Sequence, residues 1–191
     1  MPAKIYHRKN NRYKDYDYSS DGFYFVTVCT QNHKHLFGDI ENNRMVLNRY
    51  GKIAEKYWVG LPGHYTNCTL DEFVIMPNHV HGIIIIDNGR RERSLTVPRS
   101  SLGKNLENAW NGQRPFPTKY GLPEIIRGFK AFSSLEINAI DENADFHWQK
   151  SFYDHVISDE NALYKIREYI LNNPPKWDSD KNHIANICEL E

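Results

Sequence analysis

Two histidines separated by one residue, His79 and His81, open an apolar run, HVHGIIII. On an extended strand, side chains two apart share a face, so both imidazoles can reach one metal ion while Val80 turns away. Neutral imidazole is a common ligand of divalent metals. Later in the chain Tyr169 and Asn173 stand four residues apart, which puts them on one face of a helix. An amide oxygen such as that of Asn173 suits Mg2+ or Mn2+, and Tyr169 adds a phenolic oxygen next to it. A helix packed beside the histidine strand would deliver both groups to the metal. Each residue also has a plainer reading: two ordinary histidines near a strand start, a boundary tyrosine, and an Asn capping a helix before Pro174.

The elements that must position these residues follow from hydrophobic period. Residues 23–30 (FYFVTVCT) are aromatic and β-branched and predict a strand. Residues 31–42 look polar and turn-like. Residues 43–58 predict a helix, with Met45, Val46, Tyr50, Ile53, Ala54 and Tyr57 at spacings of three and four. Pro62 and Gly63 mark a loop over 61–67. Residues 69–76 and 79–86 predict two strands joined at Pro77 and Asn78, hence antiparallel neighbours. The solid apolar end of the second implies burial on both faces.

Residues 122–140 return to helical spacing, with Ile125, Ile126, Phe129, Phe132 and Leu135 as the stripe. Residues 146–157 read as a strand, with 146–153 expected to join the sheet. A last helix follows over 159–172, capped by Ser158, with Leu163, Ile166 and Ile170 as its core stripe and Pro174 as its stop. The order β, α, β, β, α, β, α predicts an α+β fold: a ferredoxin-like (split β-α-β) antiparallel sheet with packed helices. The length of 191 residues fits a single domain, with a basic arm over 1–20 and a long insertion loop over about 87–120.

Net charge is zero, but it is unevenly spread. Residues 1–16 carry five basic and one acidic side chain, residues 89–130 nine and three, and residues 131–191 five and twelve. A polyanion responds to local potential more than to net charge. Three cysteines, Cys29, Cys68 and Cys188, form no CxxC pair, which argues against a disulfide framework or a cysteine zinc site. No secretory leader or membrane span is expected: the opening residues lack an apolar stretch, and the run 83–86 is far too short. A cytoplasmic protein is the expectation.

The stretch VIMPNHVHGIIII (74–86) resembles the His-hydrophobe-His motif of the HUH nucleases. The stretch WQKSFYDHVISDENALYKIREYILNNPPKW (148–177) is similar to the C-terminal signature of the REP-associated tyrosine transposases, single-tyrosine HUH enzymes related to insertion-sequence transposases. GFYFVTVCTQN (22–32) and, more loosely, GLPEIIRGFKAFSSLEIN (121–138) extend the resemblance over well over half the chain, but not into 87–120. The resemblance implies metal ligands at His79, His81 and Asn173, and a nucleophile at Tyr169. It implies Mg2+ or Mn2+ as cofactor and single-stranded DNA as substrate, in the form of hairpin-forming palindromic repeats. The reaction would be transesterification through a 5′-phosphotyrosine, carried out by a monomer or homodimer. No GxxxxGK[ST] loop is present, as expected if the phosphodiester bond energy is conserved in the protein link. Single-strand binders combine positive grooves with aromatic platforms. Arg8, Lys9, Arg12 and Lys14 in the arm, and Arg90, Arg91, Arg93, Arg127 and Lys130 further on, are the candidate DNA contacts. Two other readings stay open at this level: a non-catalytic or domesticated hairpin-binding protein of the same fold, and a metal-dependent hydrolase.

Overall fold

The computed structural model describes residues 16–89, 120–141, 145–180 and 182. Residues 1–15 and 90–119 lie outside these, and with them Arg8, Lys9, Arg12, Lys14, Arg90, Arg91 and Arg93.

Four strands form the main sheet: β1 (Gly22–Cys29), β4 (Cys68–Met76), β5 (His79–Ile86) and β6 (Tyr153–Ile157). Their order is β4-β5-β1-β6, and every neighbouring pair is antiparallel. One long helix, α3 (Leu122–Ile140), and two shorter ones, α1 (Arg49–Val59) and α4 (Glu160–Leu171), complete an α+β, ferredoxin-like architecture. No helix among the described residues is long and apolar enough to cross a membrane.

Strand alternation splits the core in two. On one face Tyr24, Val26 and Val28 of β1 and Val80, Ile84 and Ile86 of β5 meet Ile53 and Trp58 of α1 and Ile125 and Phe129 of α3. On the other, Phe25, Ile83 and Ile85 meet Leu163 and Ile170 of α4. Each of those two α4 side chains stabilises its seating by about 1.5–3 kcal/mol. All eight residues of β5 are buried, as an interior strand covered on both faces requires. A side chain at Gly82 would place Cβ 2.4 Å from the Trp58 ring, so α1 can pack this close to β5 only over glycine. The odd-numbered face, with His79 and His81, is the α4 face.

The structure corrects several expectations. The segment 43–47 is not helical. It belongs to a hairpin, β2 (Gly38–Glu41) and β3 (Arg44–Leu47), whose turn residues Asn42 and Asn43 have φ of 50° and 62°. The helix begins after Asn48, whose side chain accepts from the N–H of Tyr50 and Gly51. The loop expected over 61–67 contains a single helical turn, α2 (Leu61–His64).

The sixth strand lies at Tyr153–Ile157, later than expected. In 146–152 only Trp148 bridges to β1's end, at Thr30. Phe146 and Trp148 instead plug the core between Phe37 and α3. Leu135 is 71% exposed rather than part of the stripe of α3. The buried row runs Phe129, Ser133, Ile137, and Ser133 is accommodated by donating to the Phe129 carbonyl and accepting from Trp148 Nε1. Asp159, not Ser158, caps α4, accepting from the N–H of Ala162.

Candidate active site

The β4–β5 turn is docked rather than free. The carbonyl of Pro77 accepts from the N–H groups of Leu36 and Phe37, and that of Asn78 from the N–H of Thr30. The Asn78 side chain is fully buried, and its Nδ2 donates to the carbonyls of His33 (3.0 Å) and Asn182 (2.7 Å). Its Oδ1 therefore faces the other way and accepts from His79 Nδ1 at 2.7 Å. A carbonyl oxygen cannot donate, so Nδ1 carries a proton, and in the neutral ring Nε2 is the nitrogen with the lone pair.

His81 is 1% exposed, with its ring centroid 4.3 Å from that of His79. Thr27 Oγ1, opposite it on β1, lies 2.9 Å from Nδ1, and the Tyr169 hydroxyl lies 3.2 Å from Nε2. Tyr169 stands on α4 with its ring edge-on to Phe25, 6.0 Å between centroids. The helix is held beside the sheet by its two buried apolar residues and by Arg167, which donates Nε and Nη2 to the carboxylate of Asp71. Asp71 is presented by an irregularity in β4. Leu70 and Phe73 both join the α1/α3 core although three apart; one extra residue puts Asp71 and Glu72 opposite the single Ile83, and a carboxylate turns toward α4.

Asn173 follows α4 and is 2% exposed. Its Nδ2 donates to Asp180 Oδ2 at 3.0 Å, and its Oδ1 finds no hydrogen-bond donor among the described residues. Leaving such an oxygen buried and unsatisfied costs about 1–3 kcal/mol. One 3-10 segment, Pro174–Ser179, folds the chain back so that Asp180 arrives beside the histidines. One ring nitrogen each from His79 and His81 and a carboxylate oxygen of Asp180 lie within 4.8 Å of one another, all three residues buried. Trp177 in the same segment packs 5.9 Å from His79, centroid to centroid.

This group fits a divalent cation: two imidazole nitrogens, a carboxylate, and a buried amide oxygen in need of a positive partner. Burial pushes the Tyr169 phenol up to about 12. The Asp180 charge adds to the rise and the Asn173 hydrogen bond opposes it. A tyrosine in this state keeps its proton at neutral pH until a positive charge arrives beside it. A cleft of about 390 Å³ opens over Tyr169, bordered by Tyr153, Lys176 and Asp180.

The four residues singled out by spacing, His79, His81, Tyr169 and Asn173, thus meet in one place. Asp180, Trp177 and Lys176 were missed. They sit on an aperiodic turn, and only the run of acidic residues after Trp177 could have hinted at one of them. Arg127 and Lys130 do not join the site, since α3 packs on the opposite face of the sheet. Arg127 is exposed there, and Lys130 donates to the carbonyls of Gln149 and Ser151, tying α3 to the segment before β6.

No protein-family model matches the chain. An uncharacterised protein of Haemophilus influenzae is 38% identical over 183 residues, covering 95% of this chain and 96% of its own. The chain belongs to the same family as that protein. Among solved structures, a REP-associated tyrosine transposase bound to a REP hairpin superimposes with a TM-score of 0.51. It is 16% identical, and the match covers 89% of this chain and 76% of that one. The likeness is one of fold: a four-stranded antiparallel sheet with packed helices.

Proposed function

We propose that this protein is a metal-dependent endonuclease and transposase of single-stranded DNA that works through a 5′-phosphotyrosine. The observation that carries the reading is the approach of the Tyr169 hydroxyl to His81 Nε2, 3.2 Å, beside a second imidazole, the buried Asp180 carboxylate and the buried Asn173 amide. A tyrosine nucleophile next to an N/O cation site is the arrangement that phosphodiester transesterification needs.

His79, His81 and Asn173 would hold the ion. Two imidazoles favour Mn2+ over Mg2+, because Mg2+ prefers an all-oxygen shell. The ion would supply charge neutralisation at the scissile phosphate and ease ionisation of the tyrosine. The chain's own groups do the rest. Asn78 and Thr27 hold the two imidazoles by their Nδ1 atoms. Phe25 and Arg167 fix the ring and the helix of Tyr169. The Tyr169 oxygen attacks phosphorus in line. The tyrosyl O–P bond forms, the P–O3′ bond breaks, and one proton passes in net from the phenol to the leaving 3′ oxygen. Attack by a second 3′ hydroxyl reverses the step and joins strands.

Lys176, exposed at the rim of the cleft, is placed to meet a phosphate, and Tyr153, 40% exposed, to stack on a base. Arg8, Lys9, Arg12 and Lys14, with Arg90, Arg91 and Arg93, are proposed to add phosphate contacts from the arm and the insertion loop. The fold neighbour was bound to a REP hairpin, so a palindromic hairpin with unpaired flanks is the substrate proposed here, met in the cytoplasm.

The test is a 5′- and 3′-labelled single-stranded hairpin incubated with the protein and Mn2+ or Mg2+, then run on a denaturing gel. Cut strand together with a protein-linked 5′ end, both lost in chelator, is expected. Hairpin binding without any cutting would replace this reading with a non-catalytic hairpin binder.

A further inference from the structure

We propose that Asp180 is a fourth protein ligand of the divalent ion, completing an N2O2 set with His79, His81 and Asn173. The proposal rests on the metal-centre reading above and adds a residue to it. The Asp180 carboxylate is 7% exposed and has an oxygen within 4.8 Å of ring nitrogens on both histidines. Its orientation is fixed twice: Oδ1 accepts from the N–H of Asn182 at 2.6 Å, and Oδ2 from Asn173 Nδ2 at 3.0 Å. A carboxylate offers about four lone-pair positions, so these bonds leave room for a metal.

The Asn173 contact does a second job. Only the nitrogen of an amide can donate to a carboxylate, so Asp180 decides which way the Asn173 amide points. The oxygen left over is the one without a donor among the described residues, in a side chain 2% exposed. A cation within reach of this oxygen would satisfy it.

Charge supports the same placement. Two neutral imidazoles and an amide bring no negative charge to a dication in a buried site. Asp180 brings one. The 3-10 segment that delivers Asp180 also packs Trp177 on His79, so ligand and lid over the histidine arrive on one turn.

The experiment uses the full chain and titrates Mn2+, following unbound Mn2+ by electron paramagnetic resonance, for the wild type, Asp180→Asn and Asp180→Cys. Asp180→Asn keeps the shape and removes the charge, and is expected to weaken Mn2+ binding by about tenfold or more. Asp180→Cys replaces the oxygen with a thiolate. Titrated with Cd2+, it is expected to show a thiolate-to-metal ultraviolet band that the wild type, with its own cysteines, lacks. Unchanged Mn2+ affinity in Asp180→Asn overturns the proposal. Weakened affinity with no band in Asp180→Cys also overturns it, since Asp180 would then only orient Asn173. Thermal melts on all three confirm that the comparison is between folded proteins. A wild type that binds no Mn2+ removes the metal centre itself, a failure distinct from the loss of its fourth ligand.

Discussion

The hydroxyl of Tyr169 lies 3.2 Å from Nε2 of His81, across 88 positions of sequence. Strand alternation aims His81 at the α4 face, and the buried pair Leu163 and Ile170 sets the rotation of α4 that aims Tyr169 back. Tyr169→Phe removes one oxygen from a ring that is 39% exposed, so the melting temperature should barely move. Hairpin binding should persist, while cleavage and covalent capture vanish. Tyr164, 67% exposed on the same helix, should cut normally as Tyr164→Phe. Equal loss in both variants would mean that the helix, rather than the Tyr169 oxygen, is what the reaction needs.

Arg167 and Asp71 clamp α4 to β4, with side chains 21% and 5% exposed. Arg167→Ala leaves a carboxylate buried without its charged partner, which costs about 3–5 kcal/mol. A clear fall in melting temperature and in cleavage rate is expected. Arg167→Lys should rescue little, because an ammonium cannot reproduce the two-pronged contact. Replacing both partners with apolar residues should return most of the stability. A single variant as stable as the wild type would show that the clamp contributes nothing.

Asn78 is expected to act on metal affinity through His79. Its two carbonyl partners fix its amide, and the amide fixes the imidazole tautomer. Asn78→Ala frees the ring, and Mn2+ binding should weaken by about 10–100-fold. Calorimetric titration of folded Asn78→Ala checks this, and wild-type affinity would contradict it.

Alkaline pH should destabilise the fold through tyrosines remote from the site. Burial pushes the Tyr65 phenol up to about 12. It also raises Tyr24 and Tyr57, helped by Tyr16 beside the one and Glu136 beside the other. An unfolded tyrosine titrates near about 10. Above that pH the unfolded chain gives up protons that the native state retains, so stability falls as pH rises from about 10 to 12. Below about 10 these groups add no slope. Thermal melts across this range should show the decline, and Tyr65→Phe should flatten part of it. A level melting temperature from pH 10 to 12 would contradict the assignment.

What the sequence made legible was whatever repeats. Alternation in FYFVTVC and the histidine pair fixed two central strands and the face of the site, and a four-residue spacing fixed Tyr169 and Asn173. The hairpin at 38–47 was hidden because Met45 and Val46 happen to continue the helical spacing of Tyr50 and Ile53. The paired Asn42 and Asn43, with positive φ, were the contrary signal. Leu135 was placed in the core by stepping three residues at a time, whereas a helix buried along one line steps by four as well as three. Asp180 had no period to betray it: its position depends on how Pro174–Ser179 folds back, which is tertiary information.

The most direct test of the central claim is to map the covalent adduct. The protein is reacted with a single-stranded hairpin and Mn2+, quenched, nuclease-trimmed and digested with trypsin. Cleavage after Arg167 and Lys176 isolates Tyr169 from Tyr164 and Tyr153 in peptide 168–176. A nucleotide phosphate is expected on that peptide, at Tyr169, and none in chelator. An adduct on a peptide carrying Tyr164 or Tyr153, or metal-dependent cutting that leaves no tyrosine modified, would contradict it.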